Sequence, residues 1–169
     1  ALDYLEKATS QEPQEPVWQM ELGNTLAEMK DNRAALEHYQ QAVELAPHDA
    51  EGWFVLARFC VANYLDLRSV GLPAARQALL LEPDNAAYLD LAGWALIELE
   101  DPLSAERFLQ HALRVDNSLA DAHLHLGQVY LQMGETQLAY QHLSQAFQLS
   151  SAQEEVHRLA ERLIARYFP

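Results

Sequence analysis

Five alanines set the terms on which this chain can fold. Ala8, Ala42, Ala78, Ala112 and Ala146 stand 34, 36, 34 and 34 residues apart. A second alanine track, Ala1, Ala35, Ala105 and Ala139, runs seven residues ahead of its partners. Pro13, Pro47 and Pro83 each follow five residues behind, and Gly23, Gly93 and Gly127 add a glycine track. Self-similarity at such a period means copies of one small supersecondary unit, none able to bury its apolar face alone and all stabilised by stacking on neighbours.

Each copy reads as two helices and a turn. In the last full copy His123, Leu126, Gly127 and Tyr130 keep one helical face inward, and Ala139, Leu143 and Ala146 do the same on its partner. The small residues Gly127, Ala139 and Ala146 allow the two backbones to approach closely. Gly134 ends the first helix, Asp101-Pro102 starts another with a capping Asp and a first-turn Pro, and Asp84-Asn85 supply a turn between copies. The spacing predicts ten helices and no sheet: 1–11, 16–29, 32–46, 50–65, 72–82, 86–99, 102–115, 119–133, 136–149 and 152–167.

Composition narrows the function. Among 169 residues, 11 Lys and Arg face 25 Asp and Glu, a net charge of −14. That field repels phosphate backbones and anionic lipid, which argues against nucleic acid or a membrane surface as partner. The one cysteine, Cys60, excludes an internal disulfide. No apolar run reaches the roughly 18 residues of a membrane span. The start, Ala1-Leu2-Asp3-Tyr4, lacks the features of a secretory signal, and a cytoplasmic location is expected.

As a set, these landmarks resemble the tetratricopeptide repeat. Leu22-Gly23, Ala35, Tyr39, Ala42 and Pro47 match its pattern in one copy; Trp53, Leu56, Ala57, Ala78 and Pro83 in the next. Gly93, Ala105, Leu109 and Ala112 match in the third; Leu126, Gly127, Tyr130, Gly134, Ala139, Leu143 and Ala146 in the fourth. The resemblance implies an all-α fold, an α-solenoid of stacked helix-turn-helix repeats with a C-terminal capping helix. The expected organisation is a single solenoid over 1–169: a half repeat at 1–15, full repeats at 16–49, 50–85, 86–119 and 120–152, and the cap at 153–169.

The departures from the pattern are informative. The 36-residue interval puts two extra residues in the second full repeat, where Gly71 replaces the expected alanine and Pro73 would fall inside the second helix. Because proline removes a donor and clashes one turn back, that helix is expected to be short and to start near Pro73. The stretch 65–72 then becomes the longest ordered connection within a repeat, with partly exposed apolar side chains that offer a second contact site. The half repeat at the start suggests a piece of a longer array and leaves Leu2, Leu5 and Ala8 incompletely covered. At the other end Ser151-Ala152-Gln153-Glu154 reads as a capping box, opening a helix whose apolar face is Val156, Leu159, Ala160, Leu163, Ile164 and Tyr167. Arg158, Arg162 and Arg166 occupy another face, as a solvated cap would.

No constellation for chemistry emerges. His123 and His125 lie on opposite sides of a helix and no His pair has i,i+4 spacing, so no metal site is expected. His123 reads as a packing residue; His38, His111 and His142 as interhelical or surface residues. The six glycines form no phosphate cradle, and no nucleophile elbow is present. Cys60 reads as a small buried apolar residue. No catalytic residue and no cofactor are assigned, and the chain is not expected to be an enzyme.

In the family, certain first-helix positions line a groove. Carried onto this sequence they select Met20, Asn24 and Glu28 in the first full repeat and Glu51, Phe54 and Arg58 in the second. In the third they select Asp90, Trp94, Ile97 and Glu98, and in the fourth Asp121, Leu124 and Gln128. Some family members clamp an acidic tail with Lys, Asn and Arg at such positions. Only Asn24 and Arg58 suit that chemistry here. The acids outnumber the one base, so a basic or apolar protein or peptide segment is the expected partner, with Trp94 as an aromatic anchor. The resemblance thus implies a protein–protein interaction scaffold. The alternative is a structural or self-associating repeat segment of a larger protein, whose repeats recruit substrate for a catalytic domain elsewhere.

Overall fold

A computed structural model describes residues 2–169; Ala1, the first member of the alanine track, lies outside the described residues. All ten expected helices are present, and among the described residues there is no strand. The chain forms two compact units, 1–82 and 83–169. The first holds α1 (Leu2–Gln11), α2 (Pro16–Glu28), α3 (Asn32–Leu45), α4 (Ala50–Ala62) and, after a π-helical turn at Leu67–Gly71, α5 (Leu72–Leu81). The second holds α6 (Ala86–Glu98), α7 (Pro102–Val115), α8 (Ala120–Met133), α9 (Thr136–Leu149) and α10 (Glu154–Tyr167).

Within each hairpin the glycine track permits the close approach that the spacing implies. A Cβ on Gly23 would stand 2.8 Å from the Tyr39 ring. On Gly93 it would stand 2.5 Å from Leu109, and on Gly127 2.6 Å from Leu143. Ala35, Ala42, Ala105, Ala112, Ala139 and Ala146 are buried in the same interfaces. The starts are fixed by side chains that accept from otherwise orphaned amides. Asp31 accepts from the Ala34 amide (3.2 Å), Asn85 from that of Ala87 (3.1 Å) and Asp101 from that of Ser104 (3.1 Å). Contrary to expectation, Leu5 of the half repeat is buried; α2 packs on α1, and Tyr4 meets Trp18 edge-on at 6.3 Å.

The four first helices end in one way. Lys30, Tyr64, Glu100 and Gly134 have φ of 65°, 54°, 59° and 78°. Each is followed by an amide that bonds a carbonyl more than one turn back: Asp31 to Leu26 (2.9 Å), Leu65 to Cys60 (2.9 Å), Asp101 to Leu96 (2.9 Å) and Glu135 to Tyr130 (2.8 Å). This is the Schellman stop, whose left-handed residue is ordinarily glycine because a Cβ is strained there. Only the last repeat has the glycine. Lys30→Gly and Glu100→Gly are therefore expected to raise stability by about 0.5–1 kcal/mol each. Urea unfolding of the two variants checks this; no gain at either site would mean the left-handed residues are held without strain.

In the irregular repeat α5 is short and starts at Leu72, as Pro73 led one to expect, but the stretch before it differs from its sequence reading. The stretch 65–72 is not a long connection: the chain leaves α4 after Ala62, and by Leu67 it is helical again. The amides of Gly71 and Leu72 bond the carbonyls of Asp66 and Leu67, five residues back. A widened turn of this kind takes up inserted residues without breaking the helix. It also loosens the backbone just where the Pro73 ring would otherwise press on the carbonyl one turn earlier. Gly71 is buried, and a Cβ added there would stand 3.0 Å from Cys60 Cβ. Leu67, Val70 and Leu72 are half-buried.

The cap helix also departs in detail. No side chain caps α10, whose N-cap is Gln153, so the box at 151–154 does not form. The junction is anchored instead by Ser150, fully buried, and by His157, which donates from Nδ1 to the Phe147 carbonyl (3.0 Å) and stacks on the Phe147 ring. Val156, Leu159, Ala160, Leu163 and Ile164 do face the core of unit 2. Tyr167 does not. It is exposed, and Phe168, just past the end of α10, packs inward in its place.

Candidate functional site

In unit 1 the selected residues lie on α2 and α4. Glu28, Glu51 and Arg58 are exposed, and Met20, Asn24 and Phe54 are half-buried. Asn24 is engaged within its hairpin, accepting from the Tyr39 hydroxyl at 2.9 Å. Arg58 lays its guanidinium over the Phe54 ring, 5.4 Å from the centroid. A cation already covers this aromatic ring.

Unit 2 builds a denser arrangement where α6 meets α8. Asp90 and His125 are both 7% exposed, and Nδ1 of His125 donates to Oδ1 of Asp90 at 2.8 Å. The His125 ring stacks on Trp94, centroids 5.4 Å apart and planes 17° from parallel. Trp94, half-exposed, donates its Nε1–H to Oε1 of Glu98 at 3.1 Å. Burial by itself would drive the His125 ring neutral. The negative charges of Asp90, Asp121 and Glu98 outweigh it and hold the imidazole above its ordinary pKa. Burial, reinforced by Asp90, raises the Asp121 carboxyl despite the opposing pull of His125 and a hydrogen bond with Gln153.

Three of the selected residues are not open to solvent. Asp90 is the buried partner of His125. Ile97 is 6% exposed and Leu124 4%. Leu124 lies in the cluster with Leu143, Ala146, Val156 and Ala160, so α10 covers it. A repeat position specifies an angle around a helix, and the covering layer then decides whether that angle meets water. Trp94, Glu98, Asp121 and Gln128 remain partly accessible.

His125 was not selected from the sequence. Its partner stands 35 residues away, one repeat plus one residue, so a search for complementary residues in successive first helices would have found the pair. A second histidine pair was equally hidden. His123 and His142, 19 residues apart, face each other through Nδ1 at 3.0 Å, and His123 Nε2 donates to the Asn117 carbonyl at 3.2 Å. The His142 ring stacks on Tyr130. Burial lowers both imidazoles, and His142, also repelled by His123, falls to about 4. His38 donates to Gln19 Oε1 at 2.7 Å, and His111 approaches Asp84 at 3.5 Å. Among the described residues no three His, Cys, Asp or Glu side chains converge as a metal site would require. The Cys60 thiol is pushed up to about 12, by burial first and Asp66 second, so it is protonated at neutral pH and a poor nucleophile.

The fold defines a helical repeat protein built from successive helical hairpins. Sequence models of the tetratricopeptide repeat match residues 16–59 and 120–153. Over those residues the chain carries tetratricopeptide repeats. It is 29% identical over 149 residues to the mouse Protein O-mannosyl-transferase TMTC3 and 28% to the human one, matching 80% of this chain and 16% of each relative. It thus spans about a sixth of the relatives' length. Among solved structures, MamA from Desulfovibrio magneticus RS-1 superposes with a TM-score of 0.77 at 20% identity, covering 90% of this chain and 85% of that one. The Thermus thermophilus protein TTC0263 gives 0.72 at 24%, covering 96% and 89%. YrrB, described as a tetratricopeptide-repeat protein with an unusual peptide-binding site, gives 0.67 at 19%, covering 98% and 84%. At these identities the likeness is one of fold. No described helix is long and apolar enough to cross a membrane.

Proposed function

We propose that this chain is a protein-interaction scaffold that binds a basic or apolar segment on the exposed faces of its first helices. The observation that carries the reading is Trp94: a large aromatic side chain, half-buried, beside Glu98 and stacked on the His125 ring, which feels the charge of Asp121, in a chain of net charge −14. A half-exposed indole held by its own hydrogen bond is a low-entropy anchor for a partner. The surrounding field speeds the approach of positive segments and turns away acidic ones. The peptide-binding site named for YrrB supports the class of ligand. The likeness to a stretch of an O-mannosyl-transferase supports a place in a larger protein, where such repeats would hold a partner or substrate for a catalytic part. A cytoplasmic setting and the repeat boundaries at 16, 50, 86 and 120 belong to the same proposal.

A random peptide library displayed on phage and selected against the chain tests it. The expected result is enrichment of Lys, Arg and apolar residues, with retested peptides weakened by added salt and by Glu98→Lys combined with Asp121→Lys at retained helicity. Selection of acid-rich peptides, or affinity indifferent to both changes, would remove the site from these helices.

A further inference from the structure

On the reading just given, we propose that the α6–α8 wall of unit 2 is a receptor for a single basic side chain, an arginine or lysine of an extended segment. The cation lies against Trp94 between Glu98 and Asp121, while His125 hydrogen-bonds the segment's main chain through Nε2.

His125 supplies the first argument. Its side chain is nine-tenths buried and its Nδ1 is committed to Asp90. Among the described residues no protein group pairs with Nε2, yet no buried side-chain nitrogen or oxygen there lacks a partner, so Nε2 reaches solvent. A ring anchored so deeply, with one polar atom not sealed from solvent, presents a fixed hydrogen-bonding point at low entropic cost.

Trp94 supplies the second. One face is taken by His125 and its Nε1–H is taken by Glu98. The indole is therefore held in place, and an indole π system is of the kind that attracts guanidinium and ammonium groups. Unit 1 shows the same preference inside the chain, where Arg58 covers Phe54; α6 and α8 contain no Lys or Arg to do this for Trp94.

Charge supplies the third. Asp90, Glu98 and Asp121 are three carboxylates against one imidazole, so the wall stays negative even with His125 protonated. Burial first, and Asp90 second, raise the Asp121 carboxyl; a cation beside it would offset the second of these. A metal ion is the poorer occupant, because no three ligating side chains among the described residues converge here.

The test uses two acetylated, amidated nonapeptides of Ala and Leu with one central residue, arginine in one and its neutral isostere citrulline in the other. Binding is read by fluorescence anisotropy of a labelled peptide and by the NMR shifts of the Trp94 and His125 rings. The arginine peptide is expected to bind at least tenfold more tightly. Trp94→Ala should abolish the difference, and Glu98→Gln or Asp121→Asn should each reduce it about fivefold, with circular dichroism unchanged. His125→Gln should weaken both peptides alike, since its contact is to the main chain; if that variant fails to fold, the two carboxylate variants still decide the cation's place. Equal binding of the two peptides, or a preference that survives Trp94→Ala, overturns the receptor. Binding by library-selected peptides but by neither nonapeptide also overturns it and leaves the scaffold reading intact. Failure of every library peptide overturns both.

Discussion

Gly127→Ala is expected to destabilise unit 2 by about 2 kcal/mol, the middle of the range for forcing atoms into a close-packed core. The added methyl would stand 2.6 Å from two carbons of Leu143 and 3.3 Å from its backbone nitrogen. Leu143 is fully buried and locked between Ala139 and Ala146 one turn to either side, so it has nowhere to retreat. The relief experiment is a double-mutant cycle. Leu143→Ala alone removes a fully buried side chain, a loss of about 2–5 kcal/mol. Combined with Gly127→Ala, the new methyl meets the space just vacated, and the two losses should fall short of additivity by at least about 1 kcal/mol. Urea unfolding of the four proteins measures the coupling. Strict additivity would mean that the α8–α9 hairpin opens at no cost and that the glycine track has another cause.

Acidification from pH 6.5 to pH 4 should weaken unit 2 through the His123–His142 pair. Both imidazoles are lowered in the folded chain, His142 to about 4, whereas an unfolded histidine titrates near 6.5. Between those values the unfolded chain holds the extra proton. Stability is therefore complete above about pH 6.5, falls as pH drops through the window, and loses nothing further from this group below about 4. Allowing for the part of His142 that solvent reaches and screens, the loss is about 2 kcal/mol. His125 acts in the opposite direction and elsewhere: its raised pKa contributes stability below 6.5 that fades as pH rises past its folded value. Hydrogen exchange at the amides of α8 and α9, compared between the wild type and His142→Gln at pH 6.5 and 4, isolates the pair. The expected result is a pH-dependent loss of protection that the variant lacks; equal loss in both proteins would assign it to other groups.

Much of this protein was legible without coordinates, because the features concerned are local. Asp101 accepts from an amide three residues on, and Gly134 stops a helix in its own neighbourhood. The pairs 23/39, 93/109 and 127/143 recur at one offset of 16, so a single hairpin geometry satisfies all three. A period in small residues determines a stacked helical hairpin, since only Gly and Ala at those points let two helices close. The alanine tracks are buried for the same reason, and Cys60 because a thiol behaves as a small apolar side chain. What the tertiary structure decided lies between repeats or depends on which layer covers which. Leu124 and Trp94 occupy comparable first-helix surfaces, but α10 covers the one and leaves the chemistry of unit 2 to the other. The pairing of Asp90 with His125 crosses a full repeat, and that of His123 with His142 crosses a hairpin. At 65–72 the composition suggested a broken helix, whereas backbone bonds reaching five residues back preserved it. In each case the local pattern was satisfied in more than one way, and the energy that separated the alternatives came from contacts with residues distant in the chain.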